Sequence, residues 1–192
     1  MDGAFIFVPL ANEKRDENGT LKDSWGPEYV SIIKKMADET IALYKNQISG
    51  VFLIGGSSGG YMTWAMLEAY PNFFAGAMPV SIGYIPSSDI LKELQKNNVQ
   101  IVFAIGKHDE FGNFNENITS RINELKQYDN ITCFFPEWVR NGDHGVASLY
   151  FGIEMGQHCI ITQIQANLTY DDGTPYCNNL PQGITGWIKS LV

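Results

Sequence analysis

One stretch, Val51-Phe52-Leu53-Ile54-Gly55-Gly56-Ser57-Ser58-Gly59-Gly60-Tyr61-Met62-Thr63, limits what this chain can fold into more than any other. Four apolar residues, two of them β-branched, predict a strand buried on both faces. The run breaks into glycine and serine, then resumes as a helical pattern through Trp64, Ala65, Met66, Leu67 and Ala69. Strand, Gly-x-Ser-x-Gly, helix is the context in which that short motif carries information. A serine on so tight a turn has strained backbone, and small neighbours let the turn close. Its hydroxyl is then exposed at the carboxyl edge of a sheet. There the helix N-terminus favours developing negative charge. Two frames fit, Gly55-x-Ser57-x-Gly59 and Gly56-x-Ser58-x-Gly60. The first is preferred, because G-x-S-x-G-G followed by a helix matches it and leaves Ser58 N–H as a donor to an oxyanion. A phosphate-binding loop of the Walker type needs a Gly-Lys-Ser/Thr sequence, and no lysine follows here. A dinucleotide fingerprint fits poorly as well.

Around this stretch, apolar segments alternate in kind. Residues 4–8 predict a strand stopped by Pro9, and residues 12–23 a polar loop. Residues 28–44 carry Val30, Ile33, Met36, Ile41 and Tyr44 at helical spacing. Strands are expected at 75–80, 99–105 and 131–139. Helices are expected at about 89–96, 115–128 and 184–191. Asn141-Gly142-Asp143-His144-Gly145 is strong turn chemistry between two apolar segments, and it predicts a hairpin tip. Strands alternating with helices imply a three-layer α/β/α sandwich around a mostly parallel sheet, in a single domain spanning 1–192.

Composition excludes several function classes. The net charge is −8 with no basic run, which argues against nucleic acid and anionic membrane surfaces as partners. No apolar run approaches a membrane span, and no signal-peptide pattern is visible. Cys133, Cys159 and Cys177 have no paired spacing, so no disulfide scaffold and no metal site is expected.

The segment 51–63, together with the loop around Trp25 and Tyr70-Pro71-x-x-Phe74-Ala75, resembles the α/β-hydrolase superfamily, in particular its esterase and prolyl-oligopeptidase-like group. The resemblance runs from about residue 5 to the C-terminus, and the serine turn is its most specific part. It implies a serine hydrolase that cleaves carboxylic esters through an acyl-enzyme, with no cofactor and no metal. The ester is small or linked to a polysaccharide. The family's triad runs serine, acid, histidine along the chain. Ser57 is then the nucleophile. The acid follows the second strand after the serine strand, which points to Asp109, with Glu110 as its neighbouring competitor. His108 is expected to be a solvated loop residue. The base is His158 or His144. His144 follows the last expected strand but sits on the hairpin tip, whereas His158 lies in Gly156-Gln157-His158 before an apolar segment, and His158 is preferred.

The resemblance also exposes a gap. The full fold has strands before residue 5, one of which ends in a His-Gly-type loop giving a second oxyanion donor. No His-Gly-Gly occurs here. Either residues 5–8 fill that place, with Leu10 N–H as donor beside Ser58, or the chain is an N-terminally truncated form that dimerises or is weakly active. The alternatives are a serine peptidase of the same fold, a non-catalytic hydrolase-like binding protein, and a nucleotide-binding α/β protein. Trp25, Tyr61, Trp64, Phe111, Phe114 and Trp138 line either a substrate pocket or, more commonly at such spacing, the core.

Overall fold

The computed structural model describes residues 4–11, 14–23, 25–44, 47–112, 114–141, 145–148 and 156–192. A two-stranded hairpin of β1 (Lys14–Arg15) and β2 (Leu21–Asp23) leads into α1 (Tyr29–Tyr44). Four parallel strands follow: β3 (Phe52–Gly56), β4 (Gly76–Val80), β5 (Gln100–Ala104) and β6 (Ile131–Phe134). They lie side by side in chain order, joined by α2 (Ser58–Ala69), α3 (Ser88–Lys96) and α4 (Glu116–Leu125). After β6 the chain forms α5 (Ile160–Gln165) and α6 (Gly183–Lys189).

This order explains the layers. Parallel neighbours need crossovers, and crossovers of one hand in a sheet that grows one way put every connecting helix on the same face. Ile33, Trp64, Met66, Leu91, Leu94 and Ile118 from α1–α4 accordingly pack with Ala77, Ile101 and Phe103 of the strands. The alternate strand residues Met78, Val80, Val102 and Ala104 point the other way. That face is covered by the returning chain, through Ile160 and Ile164 of α5 and Ile184 and Trp187 of α6. The expected three-layer α/β fold on a parallel sheet is therefore present, in reduced form, with four strands in the main sheet.

Several expectations are corrected. Residues 4–11 form no strand; Ile6 and Leu10 are each 85% exposed. An apolar run becomes a strand only by pairing, and β3 pairs with β4 alone among the described residues. The loop expected at 12–23 is the β1–β2 hairpin. Its turn is closed by the Asp16 carboxylate, which accepts from the N–H groups of Asn18 and Thr20. The last strand stops at Phe134 rather than Val139. Ile105 and Lys107 still donate to the carbonyls of Phe134 and Pro136, but Pro136 has no N–H to give back. The base of the hairpin expected around 141–145 is visible as the antiparallel bridge between Arg140 and Val146. Its tip, with His144, lies outside the described residues.

Candidate active site

The sheet's carboxyl edge collects the candidate residues. Ser57 follows β3 directly and caps α2 with φ 56° and ψ −121°, in the left-handed region that a non-glycine residue adopts only when its surroundings demand it. Two contacts enforce the turn. Ser57 N–H donates to Val80 O at 2.9 Å, and Ser57 O accepts from Tyr61 N–H at 3.0 Å. A Cβ on Gly55 would lie 2.2 Å from Gly59 O, so the strand can pass under the helix start only as glycine. Ser58, exposed at the first position of α2, turns a backbone N–H without a described acceptor to the same edge. Helix N-termini favour negative charge there.

Asp109 sits in the loop after β5. Its side chain is fully buried, and one oxygen, Oδ1, does three things. It accepts from Phe111 N–H at 2.9 Å, from Gly112 N–H, and it lies 2.7 Å from His158 Nδ1. Two backbone donors hold the carboxylate in place and aim it at the imidazole. Gly112 is part of this arrangement, since a Cβ there would fall 2.4 Å from Asp109 Oδ2. Glu110, the competing acid, is exposed. His108 is not simply solvated. Its ring stacks on Trp138 at 3.6 Å, with Nε2 3.3 Å from Glu137.

His158 lies on the turn before α5 and is 7% exposed. The carboxylate takes its Nδ1, so the imidazole is set with Nδ1 as donor and Nε2 turned away from Asp109. Its carbonyl accepts from Ser81 Oγ at 2.6 Å. The preceding Gln157 is a buried clamp. Its Oε1 accepts from Val139 N–H at 2.7 Å, and its Nε2 donates to Val139 O at 3.0 Å and Ala147 O at 2.6 Å. The turn carrying His158 is thereby pinned to both arms of the 140–146 bridge. Phe111, 59% exposed, places its ring 5.4 Å from the imidazole.

Ser57 and His158 are separated by one strand end. Ser57 N–H ends on Val80, and the next residue, Ser81, ends on His158. Ile161, three residues past the histidine, comes within 3.1 Å of where a Gly56 Cβ would stand. Among the described hydrogen bonds none joins Ser57 Oγ to the imidazole, whose Nδ1 is taken by Asp109; in unliganded enzymes a nucleophile–base contact is commonly long and tightens with substrate. Leu10 is exposed in the N-terminal segment, and no described hydrogen bond brings it to the serine turn. The neighbouring Cys159 is no competing nucleophile. Burial, and then the charges of Asp109 and Glu110, push its thiol above the usual range and keep it protonated.

Sequence reasoning missed Gln157 as a clamp and gave Ser81 no role. Of the aromatic candidates, Trp64 is core, Trp25 and Phe114 pack against that core, and Phe111 and Trp138 remain exposed near the site. Among the described residues no cluster of His, Cys, Asp and Glu has metal-binding geometry. No helix of the described residues is long and apolar enough to cross a membrane.

The model of the Prolyl oligopeptidase family matches residues 18–141. No curated protein sequence matches the chain. Similar solved structures include a thermostable esterase, 21% identical, TM-score 0.47, over 70% of this chain and 32% of that one. They also include SOBER1 of Arabidopsis thaliana, 23% identical, TM-score 0.42, over 64% of this chain and 55% of that one. The chain thus spans about a third of the esterase's length and just over half of SOBER1's.

Proposed function

The chain belongs to the prolyl oligopeptidase family, within the α/β-hydrolase superfamily, and from that premise we propose that it hydrolyses carboxylic esters through an acyl-enzyme. Ser57 is the nucleophile, His158 the base and Asp109 the residue that orients it. The observation that supports this reading is the buried 2.7 Å pair of His158 Nδ1 and Asp109 Oδ1, one strand end away from a serine held at φ 56°.

The chemistry follows from these positions. His158 Nε2 takes the Ser57 hydroxyl proton as Oγ bonds to the ester carbonyl carbon. The carbonyl oxygen becomes an oxyanion beside Ser58 N–H and the start of α2. Asp109 stabilises the imidazolium without taking its proton. The C–O bond to the alcohol then breaks, and His158 returns the proton to the departing oxygen. Water, deprotonated by the same nitrogen, attacks the acyl-serine and releases the acid. The substrate class is a small or polysaccharide-linked ester. A second oxyanion donor at Leu10 N–H would require residues 4–11 to move onto the β3 edge. Loss of one such donor typically costs about 10²–10³ in rate, so modest turnover is expected.

The test is hydrolysis of p-nitrophenyl acetate and butyrate by the wild type and by Ser57→Ala, His158→Ala and His144→Ala, with folding checked by circular dichroism. The first two variants are expected to lose about 10³-fold or more, and His144→Ala to retain turnover. Faster cleavage of a peptidyl anilide than of either ester would shift the assignment to a peptidase. A folded wild type with neither turnover nor fluorophosphonate labelling at Ser57 would make the chain a binding protein instead.

A further inference from the structure

Four non-glycine residues among those described have positive φ: Ser57, Ser81, Asn98 and Asn167. Asparagine tolerates that region because its side chain can bond locally; serine is less at home there. The two serines are structural equivalents. Strand register pairs Gly56 with Val80 and Val80 with Ala104. Ser57 and Ser81 are therefore each one residue past the end of neighbouring strands. Each sends its N–H to the carbonyl that ends the next strand, Ser57 to Val80 O at 2.9 Å and Ser81 to Ala104 O at 2.8 Å. Their φ values are 56° and 54°.

The equivalence stops there. Ser57 begins a helix at once, so the tight turn has a local reason. After Ser81 the chain runs on as loop, and α3 starts only at Ser88. Nothing in the next element requires the strained backbone. What it achieves is the aim of the side chain. Ser81 is 1% exposed, and its hydroxyl donates to the carbonyl of His158, 77 residues away, at 2.6 Å. Strained backbone persists where the surroundings over-determine it, and it gathers at functional sites.

We propose that Ser81 is a positioning residue that locates His158 against the nucleophile. The inference rests on the reading of His158 as the base. The dipeptide Val80–Ser81 is a common reference for both partners: the Val80 carbonyl fixes the amide of Ser57, and the Ser81 hydroxyl fixes the carbonyl of His158. Asp109 fixes the ring at Nδ1 but lies beyond β5. Among the described residues, the Ser81 hydroxyl supplies the hydrogen bond that ties the base to the strand beside the serine.

Glycine isolates this role. Ser81→Gly accepts φ 54° without strain and removes little besides the hydroxyl. Ser81→Ala removes the hydroxyl and keeps the strain. The expected result for Ser81→Gly is a melting temperature at or above that of the wild type. Its kcat on p-nitrophenyl acetate falls by about 10–100-fold with KM nearly unchanged, the size of effect expected from a misplaced catalytic group. A purely structural serine would lower stability and kcat together in Ser81→Ala and leave both intact in Ser81→Gly, and that outcome would overturn the proposal. A second readout does not need turnover. The His158 Nδ1–H proton resonance, assigned by its loss in His158→Ala, is expected to be sharp in the wild type and broadened by exchange in Ser81→Gly. An unchanged resonance would overturn the proposal even if the wild type proved inactive, an outcome that by itself counts only against the esterase reading.

Discussion

The glycines of the serine turn are not equivalent, and the structure ranks them. A Cβ on Gly59 meets nothing within 4 Å, whereas on Gly60 it would lie 2.5 Å from Val80 O. The motif therefore depends on Gly55 and Gly60, not on Gly55 and Gly59 as its spelling implies. Gly60 lets α2 settle on β4, and the carbonyl it would strike is the one that holds Ser57 N–H. Gly60→Ala should thus cost about 1–3 kcal/mol from overpacking and lower turnover as well. Gly59→Ala should be neutral or stabilising by about 0.5–1 kcal/mol, because alanine loses less backbone freedom in a helix. Urea unfolding of the two variants checks this; equal losses would contradict the ranking. At this scale the sequence was explicit about the serine, whose neighbours have few other uses. It was silent on Ser81, whose partner is 77 residues away, and on Gln157, whose partners are 18 and 10 residues away.

Elements were legible where local signals and burial agreed. The helices α3 and α4 begin where Ser87 and Asn115 cap them, accepting from Ile90 N–H at 3.4 Å and Asn117 N–H at 3.0 Å. The apolar run at residues 5–8 deceived, because strand formation needs a neighbour that periodicity does not report. Helix α5, six residues long, is too short for a periodic signal. Helix α4 also carries a testable electrostatic link. Arg121 donates to the carbonyls of Ile85 and Pro86 in the loop after β4 and to Glu124 Oε2 at 2.8 Å. The Arg121 hydrogen bond, and then one from Ser88, hold the Glu124 carboxyl down from its ordinary 4.5 to about 2. Its folded pKa lies below its unfolded one, so between these values the unfolded chain binds more protons. Its contribution to stability is complete above about pH 4.5 and disappears as pH falls through about 2. Melting temperatures of wild type and Glu124→Gln in low salt should therefore diverge above about pH 4.5 and converge toward pH 2. A constant gap across that window would show that the carboxylate's charge is not what ties α4 to the loop.

At the scale of the molecule, the sheet is one wall with a core on each side. Phe103 and Ile101 face the layer of α1–α4, while Val102 and Ala104, alternating with them on β5, face α5 and α6. Neither core can lose its packing without exposing the strands that the other core needs. We therefore propose that residues 1–192 unfold as one domain rather than layer by layer. Leu94→Ala on one side and Ile160→Ala on the other, both at sites of 0% exposure, should each cost about 2–5 kcal/mol and lower the same transition. The free cysteines supply a probe for each face: Cys133 packs against the first core and Cys177, 6% exposed, lies in the second. Thiol labelling along a urea series, resolved by peptide mass, should give one midpoint for both. Two midpoints would mean that the α5–α6 layer can leave the sheet on its own. His158, on the turn before α5, would leave with it, so activity would then be lost at the lower midpoint while β3 and Ser57 remained folded.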